Sequence, residues 1–408
     1  KLHVDVYSSR QRSIVHCLQS TQSETWAIRR GCEGPMMATA SSSCTLSAKD
    51  IKYDVTLPGG KETKEIVRGV SCTVKSGQML CIMGPSGSGK TSFINILAKK
   101  LTPSPKRNIT GEVLLNGESL TATQFRHLAG MVTQEDVFEP VLTVGETLSF
   151  ASRLRIRDSR LRAKRVDEVI ALLQLQSCRK TQVGDDSRPE LKGISGGEKR
   201  RLAIASELLD PDMKVLILDE PTSGLDAASA LMVANLLHEL AQTGTAIIST
   251  LHQPRAQITR QFNDLMVLAD GRCMFYGGVS DFSPYITDVL RADLPSVSGH
   301  EDVALGMLSD FMLDVLNPTI TPEASKAVRA MSPDMDSDRM DALAKLYGES
   351  PLAEKMSQGA AQSMTGFAGG TSLAKAVSSS HTRVGWFVQF FTLLARTGLV
   401  KIRDPVVA

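Results

Sequence analysis

"MLCIMGPSGSGKTSFINILAKKL", Met79 to Leu101, is the stretch that decides the fold. Met79 to Met83 is a short apolar run that reads as a strand buried on both faces. Gly84 to Thr91 then spells G-x-x-x-x-G-K-T, and an apolar-periodic run with helical spacing follows. Strand, glycine loop and helix in that order are the context a phosphate-binding loop requires. The glycines let backbone N–H groups converge on phosphate oxygens. The start of the following helix adds the positive end of its dipole. Gly84, Pro85, Ser86, Gly87, Ser88 and Gly89 therefore form the expected cradle, continued by Lys90, Thr91 and Ser92. Lys90 reaches the β- and γ-phosphates of a nucleotide, and Thr91 offers a hydroxyl to Mg²⁺. A chance glycine-rich turn would not bring all three elements into agreement.

The flanking sequence repeats the strand signal. "AGMVTQ", "KVLILDE", "TAIISTLHQ" and "DLMVLAD" read as further strands of a buried parallel sheet, with helical stretches between most of them. "KDIKYDV", "IVRGVSCTV" and "EVLLNGE" read as an antiparallel edge. From "VTQED" to "KVLILDE" the chain is largely helical, about residues 141–210. The pattern predicts an α/β fold, a phosphate-loop core with an antiparallel β subdomain and an inserted helical subdomain.

"KVLILDEP" ends its strand in two carboxylates. Ligands of open α/β sheets sit at the carboxyl ends of the strands. Asp219 is thus placed as a Mg²⁺ partner through water, and Glu220 as the general base that polarises an attacking water. The alternative is an acidic pair capping a following helix, which Pro221 opposes. His252 ends another strand of the same sheet and is expected at the γ-phosphate, although a lone histidine is more often structural. Gln134, closing "GMVTQ", is expected at Mg²⁺ or the attacking water; taken alone, such a residue often only faces solvent.

A second glycine-opened helix lies about a hundred residues after the first. In "ISGGEKRR", Ser195 is the expected N-cap, and Glu198 can reach back to it in a capping box. Its N-terminus is an anion site by geometry, yet the nucleotide already has a cradle.

Taken in order, the phosphate loop, "ISGGEKRR", "LILDEPTSGLD" and "STLHQP" closely resemble the nucleotide-binding domain of ABC ATPases. The resemblance implies that Ser195, Gly196, Gly197 and Glu198 close over the γ-phosphate of ATP held by a second subunit. It also implies that "SGLD", ending in Asp226, crosses the dimer interface. Glu198 where the generic signature has Gln, the run "TQEDVFEPVLTVGETLSFASRLR" and "DEPTSGLDAASA" before "TLHQP" resemble the G subfamily, the white type. There the ATPase domain precedes a membrane domain. "FFTLLARTGLVKIRDP" is similar to that subfamily's connecting helix at the membrane surface. The resemblance covers about residues 46–285 and, more loosely, 385–405. It implies ATP and Mg²⁺ as cofactors, and as partner a second nucleotide-binding domain in a homo- or heterodimer. It further implies a C-terminal transmembrane domain not present in this chain, and a cytosolic position at a membrane. Tyr53 is the candidate aromatic platform for adenine, and equally a plain strand residue.

The rest of the chain bounds these expectations. Its 408 residues allow two to three domains at about 150 residues each. A net charge of +2 gives no case for nucleic acid as a partner. Seven cysteines, none in a C-x-x-C pair, suit a reduced cytosolic setting rather than a disulfide framework or zinc site. Residues 1–45, rich in Ser, Thr and Gln, read as a disordered extension. Residues 46–290 form the nucleotide-binding domain, 291–380 a low-complexity linker at most partly helical, and 381–408 an amphipathic connecting helix. No signal peptide is visible, and no apolar run reaches the roughly 20 residues of a membrane span. The chain opens on Lys1 and stops abruptly at Ala408, which reads as a fragment. "RLRIRDSRLRAKR", Arg153 to Arg165, could face lipid headgroups or nucleic acid, but a solvated helical face fits it better.

These features favour the ATPase half of a half-size exporter of lipid-like or other amphipathic substrates. A soluble ABC ATPase acting on ribosomes or DNA is the alternative. Such proteins carry tandem domains or a long coiled coil, and this chain has one domain and no sustained heptads. A nucleotide-binding regulatory subunit without turnover is disfavoured by the presence of Lys90, Asp219, Glu220 and His252.

Overall fold

The computed structural model describes residues 44–57, 62–135, 137–188, 190–286, 339–365, 373 and 384–404. Two sheets organise the chain. Strands β1 (Thr45–Thr56), β2 (Thr63–Lys75) and β4 (Arg107–Leu115) form an antiparallel sheet in the order β2-β1-β4. Alternation along β1 turns Leu46, Ala48, Ile51 and Tyr53 into the core. Its register slips between Ala48 and Ile51, where Asp50 takes a positive φ of 43° and bulges the strand.

The larger sheet has the order β5-β6-β7-β3-β8-β9. Its strands are β3 (Met79–Met83), β5 (Ala129–Val132), β6 (Val215–Asp219), β7 (Ala246–Thr250), β8 (Asp264–Ala269) and β9 (Arg272–Gly278). Every residue of β3, β6 and β7 is buried, as continuous apolar runs in a covered parallel sheet should be. The first five strands are parallel, and β9 closes the edge antiparallel to β8. The parallel register aligns the strand ends: Ile82 lies beside Thr250, and Thr250 beside Asp219.

Helices α1 (Lys90–Leu97), α2 (Ala122–Leu128), α3 (Val144–Arg155), α4 (Ser159–Leu172), α5 (Gly196–Glu207) and α6 (Ala227–Gln242) lie between strands, with short α7 (Ala256–Thr259) and α8 (Val279–Pro284) near the far edge. Of these, α3 to α5 occupy the stretch expected to be helical. Most of the basic run is engaged inside the chain. Arg155 pairs with Glu207 at 2.8 Å, buried Arg165 donates to the Leu208 carbonyl at 2.6 Å, and Arg162 donates to the carbonyls of Ile156 and Arg157. Arg153 lies over the Phe150 ring. Arg153, Arg157, Arg160 and Lys164 are exposed to solvent.

The stretch expected as a linker contains two helices, α9 (Arg339–Gly348) and α10 (Pro351–Thr365). Leu343 and Tyr347 of α9 join the main apolar core, and the Tyr347 hydroxyl donates to the Tyr276 carbonyl at 2.9 Å. Gly277 on β9 is small because a Cβ there would sit 2.9 Å from Leu352. That part of 291–380 therefore covers the sheet edge. The remainder of that stretch, and almost all of the expected extension 1–45, lie outside the described residues.

The last element is α11 (Trp386–Arg403). It packs against α3, with Thr392 buried and Arg403 bound to both oxygens of Glu146 at 2.7 and 2.9 Å. Its other side exposes large apolar side chains, among them Trp386 at 65% and Ile402 at 77%. No described helix is long and apolar enough to cross a membrane.

Candidate active site

The loop after β3 begins with Gly84, and a side chain there would collide with the Leu268 carbonyl at the end of β8. Gly89, at φ 95°, caps α1, and a Cβ on it would lie 2.6 Å from the Ile66 carbonyl. No side chain caps α1, so its first-turn N–H groups stay available to oxygen ligands. The Lys90 side chain turns back and donates to the carbonyls of Gly84 at 2.8 Å and Pro85 at 2.9 Å. Burial lowers its pKa, while the nearby carboxylates of Glu220 and Asp219 pull the other way.

One helical position on, Thr91 Oγ1 donates to Asp219 Oδ1 at 3.3 Å. The same Asp219 oxygen accepts from Thr250 Oγ1 at 2.6 Å. Thr250 Oγ1 in turn accepts from the Glu220 N–H at 2.9 Å. Glu220 needs this support because it sits at φ 45°, a left-handed backbone conformation unfavourable for a side-chain-bearing residue. Gln134, just beyond β5, donates from Nε2 to Glu220 Oε2 at 3.2 Å. A single hydrogen-bonded chain thus runs Thr91–Asp219–Thr250–Glu220–Gln134 across the carboxyl ends of the central strands.

His252 follows β7 by two residues, at the same end of the sheet, and is exposed. Tyr53 is not placed for stacking on a ligand. Its side chain is 6% exposed and belongs to the core, so it is a plain strand residue.

Ser195 caps α5. It accepts from the Glu198 N–H at 3.3 Å, and Glu198 Oε2 accepts from the Ser195 N–H at 2.8 Å, completing the capping box. The Glu198 carboxyl is held below its usual range: burial raises it, and the bonds from Ser195 outweigh that. Ser195 and Gly196 are exposed, whereas Gly197 is buried, and a Cβ on it would lie 3.1 Å from Ser229. Asp226 also acts locally, as N-cap of α6. It accepts from the N–H groups of Ala228 and Ser229 and from Ser229 Oγ, which lowers its pKa.

An ABC transporter family profile matches residues 67–223, a span that contains the phosphate loop, Lys90, Thr91, Gln134, the start of α5, Asp219 and Glu220, and stops short of Asp226, Thr250 and His252. Over 230 residues the chain is 43% identical to ABC transporter G family member 5 of Arabidopsis thaliana, covering 56% of this chain and 34% of that protein. It is 37% identical over 294 residues to ABC transporter G family member 1 of Dictyostelium discoideum, covering 70% and 35%. It is 33% identical over 371 residues to ABC transporter G family member 22 of Dictyostelium discoideum, covering 89% and 55%.

The chain carries a G-subfamily ABC nucleotide-binding domain.

It spans between about a third and about half the length of these relatives. Within this ABC domain the loop, both acidic residues and Gln134 lie together, as sequence reasoning expected. Two polar residues escaped that reasoning. Thr250 looked like the end of an apolar run; its place two residues before His252 was the only signal. Arg200 looked like part of a basic signature run, and its partners lie on a loop distant in sequence. Burial pushes the Cys44 and Cys72 thiols up to about 12.

Proposed function

We propose that this ABC domain hydrolyses ATP to drive a membrane half-transporter for lipid-like or other amphipathic substrates. The hydrogen-bonded chain from Thr91 to Gln134 is the observation that carries this reading. It brings the Asp219 and Glu220 carboxylates and the Gln134 amide together beside Thr91 of the phosphate loop.

The donor set suits Mg²⁺. Thr91 Oγ1, Asp219 and the Gln134 amide offer hard oxygen atoms, and Mg²⁺ is commonly held by one or two carboxylates together with substrate phosphates and water. Among the described residues no cluster of three or more His, Cys, Asp or Glu exists that would hold a metal alone. When bound, Mg²⁺ would supply charge neutralisation at the β- and γ-phosphates.

The protein residues then divide the work. Backbone N–H groups from Gly84 to Ser92 bind the phosphates, and Lys90 leaves its loop carbonyls to neutralise the β,γ-bridge region. Glu220 accepts a proton from water as the water oxygen attacks the γ-phosphorus. The bond to the β-phosphate oxygen breaks, giving ADP and inorganic phosphate. Gln134 orients the water through its bond to Glu220, and His252 contacts the γ-phosphate.

In this proposal the exposed end of α5, Ser195 to Glu198, binds the γ-phosphate of ATP on a second nucleotide-binding domain, with Asp226 at that interface. The exposed apolar side of α11 lies on the cytosolic face of the membrane, ahead of a transmembrane domain. Bulky aromatic residues with Lys401 and Arg403 at one end suit an interfacial helix.

The test compares phosphate release by the full-length protein with that of Glu220→Gln. ATP-dependent release that falls with the substitution, while ATP is still bound, supports the proposal. Equal release in the two proteins refutes it.

A further inference from the structure

The "EKRR" of the signature helix contains three consecutive cations with three different attachments. Lys199 pairs with Asp186 at 2.8 Å, and Arg201 lies against Met232. Arg200 is 5% exposed and reaches away from α5 to another element. Its Nη1 donates to the Thr133 carbonyl at 2.7 Å, and its Nη2 donates to the Gln134 carbonyl at 2.7 Å. A planar guanidinium can hold two adjacent acceptors at once, which a lysine ammonium does less rigidly.

Among the described residues, the loop it holds is otherwise tied by Thr133 Oγ1, which donates to the Glu135 carbonyl at 3.1 Å, and by the Gln134 amide. Val132 is the last buried residue of β5, and Thr133, Gln134 and Glu135 are exposed. Core packing therefore ends one residue before the site begins. Gln134 nevertheless meets Glu220 at 3.2 Å. The backbone carbonyl clasp sits directly under that side chain, and the clasp belongs to the same helix whose first residues are Gly196 and Gly197.

We propose that Arg200 is a positioning residue for hydrolysis. It sets the Thr133–Gln134 backbone so that the Gln134 amide meets Glu220, and it ties that alignment to the seating of α5. A shift of the signature helix is then transmitted to the water-orienting amide through one side chain. This rests on the ATP-hydrolysis reading above.

The experiment uses the full-length protein in lipid, comparing wild type with E220Q, R200M, R200K, Q134A and the double variant R200M/Q134A. Turnover number, KM for ATP and equilibrium ATP affinity are measured for each. R200M should lower kcat about tenfold or more, in line with the cost of small misplacements at a reacting centre. KM and ATP affinity should stay within about twofold of wild type, and R200K should recover part of the rate. If Arg200 acts through Gln134, adding R200M to Q134A should cost nothing further. R200M at the wild-type rate, or R200M and Q134A effects that multiply, would overturn the proposal. So would loss of ATP binding in parallel with rate, which marks general damage. A wild-type protein with no ATP turnover, or E220Q turning over at the wild-type rate, would overturn the hydrolysis reading itself and this inference with it.

Discussion

The strand ends of the large sheet and the tip of α5 are built by different means. At the strand ends, Lys90, Asp219 and Thr250 are buried; Lys90 bonds within its own loop, whereas the bonds of Asp219 to Thr91 and Thr250 join segments far apart in sequence. Glu220 is held in a strained backbone conformation, worth of order 1–3 kcal/mol, by Thr250 and by a turn bond from Ser223 to its carbonyl. The tip of α5 is local by contrast. Ser195 and Glu198 cap each other, and the exposed glycine of the pair points away from the core. The first region is therefore complete within one chain. The second is an exposed helix start whose cap is made by its own first turn, which fits the proposed role of a surface offered to another molecule.

Substitutions should separate the two regions. Glu220→Gln should slow ATP hydrolysis by about two orders of magnitude or more, the range for losing a general base, with ATP binding retained in a binding assay. Wild-type turnover in that variant would remove Glu220 from the role.

Thr250→Val keeps the shape but strips two hydrogen bonds from the strand ends. It should destabilise by about 1–3 kcal/mol in urea unfolding and reduce turnover by about tenfold. Unchanged turnover would mean that the Glu220 conformation does not depend on Thr250.

Ser195→Ala should cost about 1 kcal/mol of stability, through the lost cap, and leave the ATP affinity of the dilute, monomeric protein unchanged. A large loss of affinity would mean that the tip of α5 serves the nucleotide of its own chain.

The smallest effect belongs to neither region. The Arg403 hydrogen bond, with help from Thr143 and against partial burial, holds the Glu146 carboxyl below its usual value of 4.5. A depressed carboxyl contributes stability that is fully present above 4.5 and fades as pH falls through the lower folded value. The α3–α11 contact should therefore weaken only below about pH 4.5, and Arg403→Met should remove that part of the acid response. Hydrogen exchange along α11, followed from about pH 6 down to about pH 3 in both proteins, would reveal it.

Much of this was legible from residues alone. "MLCIM", "VLILD" and "AIIST" announced buried parallel strands because no polar residue interrupts them until the strand end. The site residues could be read because the sheet brings its carboxyl ends to one edge, so a polar residue closing an apolar run has a defined place. The strand β9, "RCMFYGG", left no such mark, since it pairs antiparallel at an edge and ends in glycines. The helices α9 and α10 were hidden in a stretch whose Ser, Gly, Met and Asp content reads as a linker; Leu343 and Tyr347, spaced one turn apart, are buried in the core, with Met340, Ala344, Leu352 and Met356 packed beside them. Tyr53 was ambiguous because alternation shows that a residue faces inward only once the bulge at Asp50 is known. Arg200 and Thr250 depend on partners 66 and 31 positions away, and spacing along the chain carries no sign of them.

The proposed division of the pocket between two chains can be examined by complementation. Lys90→Met disables the phosphate loop of one chain, and Ser195→Arg blocks the signature tip of the other. Each homodimer should be inactive, having a defect in both of its pockets. Co-expression of the two chains should restore ATP turnover in the mixed dimer, whose one intact pocket joins an unaltered loop to an unaltered tip. Mixed dimers that form but stay as inactive as either parent would contradict a pocket shared between chains.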